Sequence, residues 1–173
     1  VLTASQPFTS RLVMSNIAMF KYSWIWNKKI SGNPLLAKYQ PLKIHEDICV
    51  FSINSHNYYP QMYKGKMRIK GGGKSNLFDM EMSKSRNDDY FPTSIIEFSN
   101  ANRGVHPTQK PVALFEYLIK TYTKEGDWVL DNCAGSGTTG VACKNLNRNY
   151  ILIEKEPKYI KVIKKRLAQQ VLL

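Results

Sequence analysis

Apolar residues follow two periods along the 173 residues, and these periods predict where strands and helices lie. Large apolar and polar residues alternate in YSWIWNK, residues 22–28, as in a half-buried strand. Residues 1–4 and 46–53 predict further strands, and a helix runs through Phe8, Leu12 and Ile17. No period persists between residues 54 and 103, so we expect this stretch to lack regular structure.

The C-terminal third returns to regular patterns. A helix is predicted after Pro111, with Gly126 at its C-terminal cap and apolar residues at positions 112, 115, 118, 119 and 122. Residues 127–133 predict a buried strand, a helix passes through Val141, residues 149–155 predict a second strand, and Pro157 opens the last helix. This succession is a βαβ unit, so the predicted fold class is α/β with a mostly parallel sheet.

A glycine-rich turn joins the two C-terminal strands. Gly135-Ser136-Gly137-Thr138-Thr139-Gly140 fits G-x-G-x-x-G, and Glu154 follows about 20 residues later. Glycines let the backbone approach a ligand, and an acid at the next strand end can accept ribose hydroxyls. The pattern predicts an adenosine-bearing ligand. A P-loop is excluded because no Lys-Ser or Lys-Thr follows the glycines.

Asp131 distinguishes between adenosine cofactors. Dinucleotides place a pyrophosphate against such a loop, and a carboxylate at the strand end would repel it. S-adenosylmethionine carries no phosphate but an ammonium and a sulfonium, which a carboxylate attracts. Asp131 therefore favours S-adenosylmethionine over a dinucleotide.

The net charge bears on the class of partner that the protein binds, and the cysteine pattern bears on its cellular compartment. The formal net charge is +12 and the pI is near 9.6, which favours a nucleic-acid partner, with a basic surface kept for solubility as the alternative. Three cysteines without a C-x-x-C pair argue against disulfides and a zinc site and predict a reducing compartment, the cytoplasm. No apolar run has the length of a membrane span.

Three motifs at fixed spacing resemble one family. HPTQKP at 106–111, VLDNCAGSGTTG at 129–140 and IEKEPKY at 153–159 are similar to DNA amino-methyltransferases of the permuted β group, of phage and restriction-modification adenine type. The resemblance implies a Rossmann-like methyltransferase fold with helices on both faces of the sheet, incomplete at its N-terminus. It also implies part of the catalytic domain in 1–53, a target-recognition region in 54–104 and an S-adenosylmethionine-binding part in 105–173.

The resemblance also assigns site residues. Double-stranded DNA would be contacted by the basic segment Lys64, Lys66, Arg68, Lys70 and Lys74. The cofactor would be held by His106, Thr108, Gln109, Lys110, Asp131, Asn132, Cys133, Ala134, Gly135, Ser136, Gly137, Thr138, Glu154 and Lys155. In this assignment the HPTQKP run meets the methionine end of the cofactor, although His106 could equally be a structural cap.

The catalytic motif of that family, Asp-Pro-Pro-Tyr, is not found in this sequence, which contains no Pro-Pro pair. We therefore expect an adenine-N6 methyltransferase by family whose present chain alone is inactive. Alternatives are a cytosine-N4 methyltransferase and a non-catalytic DNA-binding protein; Asp131 and HPTQKP disfavour a dinucleotide-dependent oxidoreductase. The target sequence, a partner endonuclease and the oligomeric state stay open, with a homodimer as one option.

Overall fold

The computed structural model describes residues 1–31, 33–70, 85–99 and 109–168. The chain divides into two compact units, one formed by Val1–Tyr59 with Ser94–Leu173 and one by Pro60–Thr93. The strands are β1 Leu2–Ala4, β2 Phe20–Asn27, β3 His45–Phe51, β4 Tyr63–Lys70, β5 Ser85–Tyr90, β6 Ile95–Glu97, β7 Trp128–Asp131 and β8 Asn149–Leu152. The α-helices are α1 Phe8–Ser15, α2 Val112–Tyr122, α3 Thr138–Asn145 and α4 Pro157–Ala168, and Pro34–Lys38 form a 3₁₀ helix.

A four-stranded sheet in the order β1-β3-β2-β6 forms the first part of the larger unit. β3 runs antiparallel to β1 and β2, whereas β6 runs parallel to β2. Alternation in β2 puts Trp24 and Trp26 on one face, where they are 3% and 0% exposed. They pack with Ile48, Val50 and Ile96 of the sheet and with Leu114 and Leu118 of α2.

The C-terminal strands form a separate parallel pair, in which Asp131 of β7 lies opposite Leu152 of β8. The helix α3 connects them, and its Ala142 and Cys143 are buried with Ile119 of α2. Because α2 contributes to this cluster and to the cluster under the four-stranded sheet, it is the common packing surface of both sheets.

The α/β class is confirmed, but the strand directions are more mixed than predicted. The β7–β8 pair is parallel as expected, while the N-terminal sheet is mainly antiparallel, because β3 pairs antiparallel with both β1 and β2. The prediction that β7 is buried was wrong. Trp128 and Leu130 are 67% and 63% exposed, because the described helix α3 packs on the opposite face, against Val129.

The prediction of an irregular stretch between 54 and 103 was also wrong. β4 and β5 form an antiparallel hairpin in the smaller unit, and β6 adds to the four-stranded sheet. The hairpin strands YKGKMRIK and SRNDDY consist largely of polar residues, so their apolar period was too weak to recognise.

The predicted C-terminal cap of α2 was wrong as well. Gly126 lies in a turn with φ +81°, and Thr123 rather than Gly126 caps α2.

No helix within the described parts of the chain is long and apolar enough to cross a membrane.

Candidate ligand-binding site

The segment between β7 and α3, residues 132–137, forms a tight turn that we call the glycine loop. Gly135 and Gly137 have φ of +53° and +78°, a region in which side chains other than glycine are strained. A Cβ at Gly137 would also lie 2.9 Å from Ile163 Cγ1 of α4. The Gly137 N–H donates to Ala134 O at 2.7 Å, and this bond closes the turn. The backbone angles therefore favour glycine at both positions, and close packing against α4 also requires it at Gly137.

The Asp131 carboxylate holds the loop from both sides. Its Oδ1 accepts the Cys133 N–H at 3.0 Å, and its Oδ2 accepts the hydroxyl of Thr139 in the first turn of α3. Thr139 is 4% exposed, so this second bond is shielded from water. One strand-end acid thus fixes the start of the loop relative to the helix that follows.

Glu154 braces the same loop from the neighbouring strand. Its Oε2 accepts the Gly135 N–H at 2.8 Å, and its Oε1 accepts the Glu156 N–H at 2.9 Å. Because β7 and β8 are adjacent and parallel, Asp131 and Glu154 lie at the same edge of the sheet, as predicted. A carboxylate offers about four acceptor positions, so these bonds are compatible with hydroxyl groups of a ligand.

A cavity of about 620 Å³ lies against the glycine loop. Its apolar wall comes mainly from α2 and β7, and β1 contributes Val1, Leu2 and Thr3. The predicted cofactor residues that line it are Gln109, Lys110, Asp131, Asn132, Cys133, Ala134, Gly135, Ser136 and Thr138. This volume is within the range of small-molecule sites, and its combination of an apolar wall with a few polar groups is typical of them.

Gln109 supplies a notable polar atom at this cavity. Among the described side chains, its Oε1 is buried without a hydrogen-bond partner. A buried acceptor left without a partner costs free energy, about 1–3 kcal/mol. The atom is therefore suited to accept a hydrogen bond from a ligand that enters the cavity.

Lys110 forms an ion pair within the protein. Its Nζ lies 3.0 Å from Glu46 Oε2, and Lys28 Nζ lies 3.1 Å from Glu46 Oε1. The three side chains are only 13–22% exposed. Burial raises the pKa of Glu46, but the hydrogen bonds and charges of Lys110 and Lys28 outweigh it, so the net pKa lies below the ordinary value. Lys110 also links to the loop, because its carbonyl accepts the Thr138 hydroxyl at 3.4 Å.

Several predicted site residues fall outside this constellation. His106 and Thr108 lie outside the described residues. Gly137 and Glu154 shape the loop without lining the cavity, and Lys155 is exposed beyond β8. The sequence did not indicate Glu46, Thr139 and Arg166 as residues of the site. Their partners Lys110, Asp131 and Ser136 lie 64, 8 and 30 residues away in the chain. Of these, only Thr139 lies inside a recognisable motif.

The cysteines differ in their surroundings. Cys133 is exposed and lines the cavity, whereas Cys49 and Cys143 are buried. Burial raises the pKa of Cys143 to about 11, so this thiol stays protonated at neutral pH. No cluster of three or more His, Cys, Asp or Glu side chains suited to a metal is present in the described part of the chain.

The predicted DNA-contacting segment lies on the hairpin of the smaller unit. Lys64 Nζ lies 3.0 Å from both Asp88 and Asp89, and the Arg68 guanidinium stacks 3.8 Å from the centre of the Tyr90 ring. Lys66 is exposed, and Tyr90 donates its hydroxyl to Lys66 O at 2.6 Å. Lys70 ends β4, and Lys74 lies outside the described residues. The hairpin therefore presents a mixed surface in which some basic charge is already paired.

This region combines a parallel strand pair, a glycine loop that opens a helix, and an acid at or just after the end of each strand. These features define a Rossmann-like protein of the type that binds adenosine cofactors. Residues 6–165 match the DNA methylase family N6_N4_Mtase. The chain belongs to this family, which confirms the resemblance found in the motifs.

Curated relatives agree with the family. The chain is 32% identical over 169 residues to type II methyltransferase M.HpaI of Haemophilus parainfluenzae, covering 92% of this chain and 49% of that protein. It is 42% identical over 100 residues to type II methyltransferase M2.DpnII of Streptococcus pneumoniae, covering 55% of this chain and 37% of that protein. The chain thus spans about half, or less, of the length of these relatives.

Solved structures confirm the Rossmann-like methyltransferase fold. The M1.HpyAVI–SAM complex superimposes with a TM-score of 0.68 at 28% identity and covers 96% of this chain and 72% of that one. The cytosine-N4-specific PvuII DNA methyltransferase superimposes with a TM-score of 0.66 at 18% identity, covering 96% of this chain and 58% of that one, and supports the fold alone.

The ion-paired Glu46 leads to a stability prediction. Glu46→Gln should lower the free energy of unfolding at pH 7 by about 1–3 kcal/mol, because hydrogen bonds to charged partners are lost. A lowered pKa in the folded state means that the contribution is full above the ordinary value near 4.3 and disappears as the pH falls through the lower folded value. Urea denaturation across this pH range measures the difference between the two proteins.

The matched control is Glu97→Gln, because Glu97 pairs with Lys29 through side chains that are more than half exposed. We expect a much smaller change for this variant. Equal losses in both variants, or a Glu46→Gln difference that grows towards acidic pH, would contradict the role given to the half-buried ion pairs of Glu46.

Proposed function

We propose that this chain is the cofactor-binding and DNA-contacting part of a methyltransferase that moves a methyl group from S-adenosylmethionine to the exocyclic N6 of adenine in DNA. The observation that carries the proposal is the glycine loop braced by Asp131 and Glu154 beside the cavity. The M1.HpyAVI relative, whose structure is described as a complex with SAM, supports the choice of cofactor.

The residues of the glycine loop and of the cavity fit this cofactor by their chemistry. Glu154, which lies just after the second strand and accepts from Gly135 of the loop, suits the ribose hydroxyls. The carboxylate of Asp131, which lines the cavity, attracts positive charge. Gln109 Oε1, a buried acceptor without a described partner, suits the ammonium of the methionine part. When bound, the cofactor supplies an electrophilic methyl group on a sulfonium. The chain's own residues would bind and orient it, and apolar side chains of α2 form one wall of the cavity.

We further propose that residues 1–53 and 105–173 belong to one catalytic domain, and that 54–104 is the target-recognition region. The separation of Pro60–Thr93 as a compact unit of its own supports a distinct role for the middle of the chain. The net charge of +12 supports DNA as the partner. Three free cysteines, one of them exposed, suit a reducing compartment, and on this ground we place the protein in the cytoplasm.

Cofactor choice is tested by isothermal calorimetry. We expect S-adenosylhomocysteine to bind and NAD not to compete, because Asp131 disfavours a pyrophosphate. Glu154→Gln should weaken binding by about 1.5–3 kcal/mol, the cost of losing hydrogen bonds to a charged group. Glu156→Gln is the matched control, since Glu156 is an exposed acid two residues further on. NAD binding tighter than S-adenosylhomocysteine would reverse the assignment.

DNA contact by the hairpin is tested by the salt dependence of binding. Each phosphate contact contributes about 0.9 to the slope of log K against log salt. Lys66→Gln should therefore lower the slope by about one unit. Lys64→Gln should change it less, because Lys64 must first leave Asp88 and Asp89. An unchanged slope when Lys64→Gln and Lys66→Gln are combined in one protein would mean that the charge of the hairpin serves another purpose.

Methyl transfer by this chain alone should be negligible. The family positions its target amino group with Asp-Pro-Pro-Tyr, which this sequence does not contain, and loss of such positioning forfeits most of the rate enhancement. The measurement uses labelled S-adenosylmethionine with duplex DNA, followed by analysis of the modified bases. Robust N6-methyladenine would show that the catalytic groups lie elsewhere in this chain, and N4-methylcytosine would favour the alternative specificity.

A further inference from the structure

Arg166 lies in the last helix, α4, yet its side chain reaches the glycine loop. Its Nη1 donates to Ser136 O at 2.7 Å and lies 3.0 Å from Ser136 Oγ and 3.4 Å from Thr138 Oγ1. Ser136 and Thr138 line the cavity, whereas Arg166 does not. The guanidinium therefore contacts residues that line the cavity without lining it itself.

Arg166 differs from the other basic residues of its helix. The amphipathic pattern predicts that all of them share the solvent face, but only Lys158, Lys161, Lys164 and Lys165 are exposed, while Arg166 is half-buried. Burial lowers the pKa of Arg166, which marks the cost of removing its charge from water. Among the described residues no carboxylate pairs with it. Its described partners are neutral oxygens of the loop and of the first turn of α3. The desolvated guanidinium therefore binds the Ser136–Thr138 segment and no opposite charge among the described residues.

The contact fixes one peptide plane at both ends. The Ser136 carbonyl accepts from Arg166, and the N–H on the other end of that peptide, at Gly137, donates to Ala134 O. Glycine at position 137 can adopt several backbone conformations at little cost, so a bond to the Ser136 carbonyl from outside the loop adds to the restraint that Asp131 and Glu154 provide. The orientation of this peptide decides whether a carbonyl or an N–H faces a ligand beside Ser136.

We propose that Arg166 is a positioning residue of the ligand site: it holds the Ser136–Gly137 peptide in the orientation that the cofactor requires. The inference rests on the proposed function, because it assumes that the glycine loop binds S-adenosylmethionine. Arg166 acts only through the loop, and it raises affinity by keeping the loop in the binding conformation before the ligand arrives.

The helix α4 has anchors besides Arg166. Ile163 is 9% exposed and packs beside Gly137, and Lys144 of α3 donates to Leu167 O at 2.8 Å. Removal of the guanidinium should therefore leave the helix docked. This allows loop orientation to be tested separately from folding.

The experiment measures S-adenosylhomocysteine affinity by calorimetry for the unaltered chain, Arg166→Met, Arg166→Lys and the exposed neighbour control Lys165→Met. Losing hydrogen bonds from a charged donor should weaken the Arg166→Met variant about tenfold or more. Arg166→Lys should be intermediate, because an ammonium can donate to Ser136 O but lacks the planar fork. Lys165→Met should bind as the unaltered chain does.

A second measurement separates positioning from stability. Without ligand, the amide resonances of Ser136 and Gly137 should shift in Arg166→Met, while its melting temperature stays close to that of Lys165→Met. Two results would overturn the positioning role: an unaltered affinity of Arg166→Met for S-adenosylhomocysteine, or a loss of affinity that is no larger than its unfolded fraction explains. Either result would leave the proposed function intact. Failure of the unaltered chain itself to bind S-adenosylhomocysteine would overturn the proposed function and this inference together.

Discussion

The site depends on the two hydrogen bonds that the Asp131 carboxylate accepts, one from the Cys133 N–H and one from the Thr139 hydroxyl. They join the end of a strand to the start of a helix across a loop whose glycines have left-handed backbone angles. A loop of this kind has many accessible conformations. If the protein restrains it to one of them beforehand, ligand binding does not have to bear the entropic cost of ordering the loop. Glu154 and Arg166 complete the restraint from β8 and α4. Charged groups from three elements therefore determine one backbone conformation.

The helix α2 places this loop in relation to the rest of the larger unit. One set of its side chains, including Leu114 and Leu118, packs under Trp24 and Trp26, and another, including Ile119, packs against α3. The same helix forms much of the apolar wall of the cavity. A change in how α2 packs would thus alter both sheets and the ligand site at once. The half-buried pair of Glu46 with Lys110 adds a polar link just before the start of this helix.

Much of the fold could be predicted because its signals are local. The period of α2, the alternation of β2 and the contiguous glycine motif each lie within a few turns of chain, and the structure has elements at these places. The polar hairpin β4–β5 was missed because an exposed two-stranded ladder needs no apolar period. The exposure of Trp128 was missed because a strand's sequence does not reveal which of its faces another element covers.

The ligand site could be predicted only in part, because only some of its contacts are local in the sequence. Asp131 and Glu154 follow from motif spacing, but the partners of Lys110 and Arg166 are 64 and 30 residues distant. The family resemblance predicts Lys110 as a contact of the methionine end, which stays a prediction, but it gave no sign of the ion pair with Glu46. The amphipathic pattern of α4 predicted an exposed Arg166, because its partner on the loop is not visible in the local sequence. The assignment of cofactor contacts to individual residues stays a prediction.

The most direct test of the central claim is a two-dimensional NMR titration of the ¹⁵N-labelled chain with S-adenosylhomocysteine. We expect the amide resonances of Gly135, Ser136 and Gly137 to shift together and to saturate with one dissociation constant, while that of Gly65 in the hairpin stays in place. Saturable shifts confined to other parts of the chain, or loop resonances that do not respond at all, would contradict it.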